Sequence, residues 1–317
     1  MFAGVGGIDL GFEQAGFHTV YANEIDPYAV ETYKLNFPNV CVENRDIHEV
    51  VSELEMGQTT LPSYDILLGG FPCQAFSIAG YREGFNDKKG RGGLFFEIMK
   101  IVRTTHPKVV FLENVKNLVS HDNGKTFQII KDALESEGYH IQAKVMNTAQ
   151  YGNIPQNRER IYIVGFLDKT AFSHFVFPDE AKLETKLEDM IDFHQAVEAK
   201  YYYTPSTFSH YSEIQNVITR QDTVYQWRRK YVRENKSGLC PTLTANMGTG
   251  GHNVPLILSD TGIRKLTPRE CFNLQGFSKT YHLPNLSNGR LYKQAGNSVS
   301  VSVIHAIATK IKEALDY

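Results

Sequence analysis

Short apolar runs separated by amphipathic stretches set the rhythm of the first half of the chain. Strand-like runs occupy His18–Ala22, Ile66–Leu68, Val109–Leu112, Ile141–Val145 and Ile161–Val164. Helical periodicity fills the intervals near 7–15, 26–35, 93–105 and 124–137. Such alternation predicts an α/β fold: a mostly parallel, doubly wound, Rossmann-like sheet with helices on both faces. From about residue 170 the rhythm breaks. Aromatics crowd Tyr201–Tyr203, polar and irregular segments run to Asn288, and no internal repeat is visible. Apolar periodicity returns from Ser298 to Asp316 through Val299, Val303, Ile304, Ile307, Ile311 and Leu315. The pattern predicts a smaller inserted domain followed by one long helix that rejoins the sheet.

Composition narrows the class. The chain has 317 residues, 42% of them hydrophobic, with 25 glycines and 12 prolines, as in ordinary soluble globular proteins. No apolar run approaches the ~20 residues of a membrane span. The start, Met1-Phe2-Ala3-Gly4, shows no signal-peptide pattern, and Cys41, Cys73, Cys240 and Cys271 form no CxxC pair or metal-ligand spacing. A reducing, cytoplasmic setting and no metal are expected. Charge is uneven. Residues 201–290 hold 11 basic against 5 acidic side chains, a net of +6, so the rest carries −8 against an overall −2. A basic module on an acidic body suits phosphate contact, or is simply a solvated face.

Candidate chemistry gathers at the ends of the expected strands. Phe71-Pro72-Cys73-Gln74 follows the run Tyr64–Gly70, placing a thiol at the mouth of an α/β sheet, where ligands usually bind. Alone, such a cysteine is more often an inert, half-buried thiol. Glu113-Asn114-Val115 puts a carboxylate at the same sheet edge, as a proton carrier or as a helix cap. Phe2-Ala3-Gly4-Val5-Gly6-Gly7 is a loop that lets backbone approach a ligand closely. An acid about twenty residues on, in Asn23-Glu24-Ile25-Asp26, suits ribose hydroxyls, although Asp26 before Pro27 also suits a helix cap. Asp46 follows a further short run and suits an adenine amino group. The glycine pattern is incomplete for a pyrophosphate, so a nucleoside ligand without phosphates is expected.

Arg158 and Arg160, read on one strand, share a face and suit an anion or a carbonyl. Tyr225–Arg233 interleaves Arg228, Arg229 and Lys230 with aromatics, as in a nucleic-acid contact or an amphipathic helix. Pro241–Asn253, rich in glycine and small hydroxyls, suits close approach to another backbone such as a DNA strand.

Taken in order, these segments resemble the C5-cytosine DNA methyltransferases of bacterial restriction–modification systems. The matching blocks are Phe2–Gly7, Asn23–Asp26, Gly70–Ser77, Glu113–Val115, Gln156–Tyr162, Arg264–Glu270 and Gln294–Val299. The resemblance implies methyl transfer from S-adenosylmethionine to C5 of a flipped-out cytosine in duplex DNA. Cys73 would add to C6, Glu113 would contact N3 and the exocyclic amine, and Arg158 and Arg160 would steady the base and the Cys73 loop. Phe2, Ala3, Gly4, Gly6, Gly7, Glu24, Ile25, Asp46, Ile47, Pro72, Leu94, Asn297 and Val299 would surround the cofactor. Residues 1–180 with 291–317 would form the catalytic domain, and 181–290 the inserted target-recognition domain. Ser77, Arg91, Arg228, Arg229, Lys230 and Thr242 would face DNA, with the loop Ser77–Arg91 closing over the base. The implied setting is a monomer that shares its system with a cognate restriction endonuclease.

One departure stands out. Family members have a first strand ahead of the Phe-Ala-Gly block, whereas Met1 directly precedes Phe2 here. The expectation is a sheet centre and cofactor pocket short of support. Two other readings remain at this point: a tRNA cytosine methyltransferase, and a DNA-binding protein with impaired catalysis. Phe71-Pro72-Cys73 in place of a Pro-Pro-Cys block favours DNA over tRNA. A nicotinamide oxidoreductase is disfavoured by the incomplete phosphate loop.

Overall fold

Four of the five apolar runs of the first half become strands over their whole length, only Tyr21 and Ala22 of the run His18–Ala22 do, and the intervals between the runs hold helices. A computed structural model describes residues 1–72, 93–228 and 230–317. The described residues divide into two units, Met1–Met146 with Glu159–Pro178 and Ile304–Tyr317, and Asn147–Arg158 with Asp179–Val303. Residues 147–158 and 291–303 thus pack within the second unit, which also contains the whole of 181–290.

In the first unit, helices α1 (Gly7–Gln14), α2 (Pro27–Asn36), α3 (Ile47–Glu55), α4 (Leu94–Thr105) and α5 (Lys125–Ser136) alternate with strands. The strands are β1 (Tyr21–Asn23), β2 (Cys41–Glu43), β3 (Ile66–Gly69), β4 (Val109–Val115) and β5 (His140–Asn147). The two-residue β6 (Gln156–Asn157) belongs to the second unit, and β7 (Glu159–Phe166) returns to the first. Local chemistry sets several boundaries. Asp26 caps α2 by accepting the Tyr28 N–H, with Pro27 at the first helical position, and Asp46 caps α3 by accepting from His48.

These strands do not form one continuous sheet. β1 pairs in parallel with β2, while β3, β4, β7 and β5 make a second sheet in that order. β3 runs parallel to β4, but β7 runs antiparallel to it, so the sheet is mixed. The run Ile161–Val164 gave no hint of direction, because a strand buried on both faces reads alike either way. Residues 1–3 pass between the ends of β3 and β1: the Met1 amine donates to Leu68 O (2.7 Å) and Ala3 N–H to Asn23 O (3.0 Å). Beside them lies a groove of about 410 Å³ lined by Phe12, Phe17, Tyr21, Tyr64, Ile66 and Leu68. The core sits over β4, whose Val110 and Leu112 pack with Ile98, Met99 and Val102 of α4 and with Ile130 and Leu134 of α5.

The second unit carries the antiparallel sheet β12–β11–β8–β9, built from β8 (Tyr225–Trp227), β9 (Val232–Glu234), β11 (Leu256–Ser259) and β12 (Gly262–Lys265). β10 (Cys240–Pro241) pairs with β6. Tyr225 joins Tyr203, Phe208, Ile214, Leu256 and Ile263 in a separate apolar cluster. The Tyr225–Arg233 stretch is therefore a hairpin and not an amphipathic helix. Helix α6 (Pro268–Asn273) is fastened by Arg264, whose guanidinium is bidentate to Glu270 (2.7 and 2.9 Å). The long helix expected over 298–316 is α8 (Val301–Leu315), preceded by a separate helix, α7 (Asn288–Asn297). The polar sequence of α7, with only Leu291, Tyr292 and Ala295 as apolar side chains, had hidden it.

Candidate active site

In the first unit the glycine loop and the acidic end of β1 come together. Glu24 accepts the Gly4 N–H through Oε2 and the Asp26 N–H through Oε1, both at 2.8 Å. Asn44 ties the Glu24 carbonyl (2.8 Å) and Asn23 ties Glu43 O and Arg45 O, so the ends of β1 and β2 form one braced ledge. Gly4 has φ +55°, and a Cβ there would meet nothing within 4 Å, which leaves its backbone open to a ligand. Gly6 differs, because its Cβ would stand 2.4 Å from the Phe37 ring. Gly7 opens α1, and Ile25 next to Glu24 is 61% exposed, an apolar surface with no core to fill. Asp46 and Ile47 lie at the start of α3. An open glycine backbone, a carboxylate and an exposed apolar side chain fit the nucleoside part of S-adenosylmethionine.

The second cluster centres on Glu113 near the end of β4. It is 8% exposed, and Arg160 on β7 meets it through Nε at 3.2 Å. The antiparallel register explains the meeting: Glu113 lies opposite Tyr162 and Val115 opposite Arg160, so the two side chains are diagonal neighbours. A Cβ on Gly70 would lie 4.0 Å from both Glu113 Oε2 and Phe2 O, so the glycine loop, the Gly70 turn and the carboxylate are adjacent. Asn114, to which the sequence motifs assign no role, donates from Nδ2 to Phe71 O (2.9 Å). Phe71 is buried against Phe95 (5.8 Å), and Pro72 is exposed. The turn that leads to Cys73 is thus anchored from both sides. Leu94 is partly buried at the start of α4. An amide next to a strand-end glutamate is the signal the sequence offers for Asn114.

Arg158 and Arg160 do not lie on one strand, contrary to the expectation. Arg158 precedes β7 and belongs to the second unit, where it is 2% exposed. It donates to Leu243 O (2.8 Å) and Ser298 O, which ties the segment after β10 to the end of α7. Gln156 assists from the same unit, donating to Leu274 O (2.6 Å) and accepting the Leu243 N–H (3.1 Å). Asn297 is exposed at the end of α7, and Val299 is buried. Thr242 donates to Asn157 O (2.6 Å). The glycine-rich loop read as facing DNA splits in two. A Cβ on Gly248 would stand 2.3 Å from Gly289 O, so its close approach is to α7, while Gly250 (φ +84°) has nothing within 4 Å. Arg228 and Lys230 are exposed at the β8–β9 turn. Cys73, Ser77, Arg91, Arg229 and the loop Ser77–Arg91 lie outside the described residues.

An α/β unit with an open glycine backbone and an acid at the strand ends suits an enzyme that works with a nucleoside-bearing cofactor. Residues 1–313 match the family model described as C-5 cytosine-specific DNA methylase, and the chain belongs to that family. Among curated relatives, the type II methyltransferase M.Bsp6I of Bacillus sp. (strain RFL6) is 55% identical over 99% of this chain and 98% of its own. M.HhaI of Haemophilus parahaemolyticus is 39% identical over 100% of this chain and 94% of its own. The S. pombe Dnmt2 methyltransferase shares the fold, with TM-score 0.73 at 20% identity over 100% of this chain and 98% of that one. The protein is a DNA cytosine-C5 methyltransferase that takes its methyl group from S-adenosylmethionine. Among the described residues no helix is long and apolar enough to cross a membrane.

Proposed function

We propose that the protein methylates a cytosine turned out of a specific duplex DNA sequence, through a covalent bond between Cys73 and C6 of the base. The observation behind this reading is the buried Glu113 carboxylate beside the Gly70 turn, two residues from the Pro72–Cys73 bond. C5 of cytosine is a poor nucleophile. Addition of the Cys73 thiolate at C6 breaks the C5–C6 double bond and leaves an enamine whose C5 is nucleophilic. Glu113 promotes this by holding a proton at N3 and receiving the exocyclic amine, and Arg160 keeps its carboxylate oriented. S-adenosylmethionine, when bound, supplies an electrophilic methyl group on a sulfonium sulfur. Once C5 carries the methyl, loss of its proton to a base re-forms the double bond and releases the Cys73 thiolate. Turning the base out of the stack costs a few kcal/mol.

Phe2, Ala3, Gly4, Gly6, Gly7, Pro72 and Leu94 surround the cofactor in this reading. Glu24 takes the ribose hydroxyls, and Ile25, Asp46 and Ile47 take the adenine. Asn297 and Val299, on a segment of the second unit held by Arg158, are assigned to the cofactor by the family resemblance alone. The first unit acts as a doubly wound catalytic body and 181–290 as the target-recognition insert. Ser77, Arg91, Arg228, Arg229, Lys230 and Thr242 meet DNA. The four cysteines, without a CxxC pair, suit the cytoplasm, and one flipped base needs no symmetry partner, so a monomer sharing its system with a cognate endonuclease is proposed. Relatives named as type II methyltransferases favour DNA over tRNA as substrate.

The test is transfer of tritiated methyl from S-adenosylmethionine to duplex DNA and to tRNA, by the parent and by Cys73→Ala. Label in DNA with the parent alone is the expected result. Label with both proteins would remove the covalent step, and label in tRNA alone would change the substrate. DNA shifts in a gel without label would favour the reading of impaired catalysis.

A further inference from the structure

The second unit holds a polar cleft of about 440 Å³ between the β8–β9 hairpin and the segment 239–255. Gln226 and Arg233 lie directly opposite each other across β8 and β9. They therefore share one face of the hairpin, and Arg228, two residues beyond Gln226, continues it. All three line the cleft. Arg228 donates from Nη2 to Gln226 Oε1 (3.0 Å), which fixes the plane of its guanidinium, and its backbone N–H closes the turn on Tyr231 O (2.8 Å). Both arginines are exposed, and among the described residues neither is paired with a carboxylate. Their neighbours behave otherwise. Arg220 is held by Asp222 and Glu234, and Arg264 by Glu270.

A two-stranded ribbon fits the major groove of B-DNA, where guanine presents N7 and O6 to a planar guanidinium, the commonest specific contact. We propose that the hairpin face Gln226–Arg228–Arg233 determines sequence specificity by reading guanine through the major groove. This rests on the second unit being the target-recognition unit. Lys230 on the turn would give attraction to phosphate without sequence information. A guanidinium braced by a glutamine inside a polar cleft is built instead for a directed, bidentate partner.

The experiment maps 5-methylcytosine by bisulfite sequencing after mixed-sequence DNA is treated with the parent, Arg228→Ala, Arg233→Ala and the two Lys variants. The parent is expected to give one motif containing a guanine outside the target pair. At least one Ala variant should relax the preference for that guanine about tenfold or more, with the other positions kept. The matching Lys variant should recover part of the preference, because an ammonium can still donate to O6 and N7 but without the planar fork. A measurement on the parent alone keeps the test independent of variant folding: 7-deazaguanine at that position should lower kcat/KM about tenfold. Unchanged motifs in every variant, an equal fall on all sequences, or indifference to 7-deazaguanine would overturn the proposal. No methylation by the parent on any DNA would remove the underlying reading, and the inference with it.

Discussion

Each unit contains a buried glutamate paired with an arginine, and the two pairs are built differently. In the second unit Glu270 is saturated: Oε1 accepts from Arg264 Nη2 and Asp192 N, and Oε2 from Arg264 Nη1, Thr267 N and Thr267 Oγ1. Such a carboxylate holds β12 to the start of α6 and has nothing left to offer a substrate. In the first unit Arg160 meets Glu113 through Nε at 3.2 Å, and Glu113 Oε2 looks toward a glycine, Gly70. The same residue types serve as a rivet in one place and, in the function proposed above, as chemistry in the other. What separates them is place: Glu270 closes the start of a helix, whereas Glu113 stands beside the Gly70 turn.

The contrast can be broken or sharpened by substitution. Glu270→Ala strands the buried Arg264 charge, and a loss of about 3–5 kcal/mol in unfolding free energy is expected. Urea denaturation measures it, and a loss below 1 kcal/mol would make the rivet dispensable. Glu113→Gln keeps the shape and removes the acid, so kcat should fall about a hundredfold or more while stability barely moves. A large stability loss with retained kcat would turn Glu113 into a second rivet. Glycines extend the comparison at smaller scale. Gly248→Ala drives a Cβ to 2.3 Å from Gly289 O and 2.9 Å from Lys293 N, both backbone atoms that cannot swing away. Its expected cost is about 2 kcal/mol, read by thermal unfolding. Gly250→Ala meets nothing, and only its φ of +84° is strained, so about 1 kcal/mol is expected.

Helix α3 (Ile47–Glu55) lies outside every interval that hydrophobic periodicity marks, whereas α1, α2, α4 and α5 fall within a residue or two of those intervals, because an amphipathic stripe is a local property. The same holds for the apolar runs that became β3, β4 and β7. The short polar α7 and the β8–β9 hairpin were not legible, since neither carries a long periodic signal.

Order and residue type along the chain were enough to mark the family blocks, the strand-end position of Glu113 and the glycine loop ahead of an acid. Those features depend on neighbours in sequence. Other assignments waited for the tertiary structure: that Arg158 and Arg160 part company, that Gly248 packs on α7 while Gly250 stays open, and that Gln226, Arg228 and Arg233 share a face. Each of these turns on which distant backbone lies within hydrogen-bond or van der Waals reach. Strand direction, pairing register and packing partners set that reach, and none of them is encoded in a local pattern.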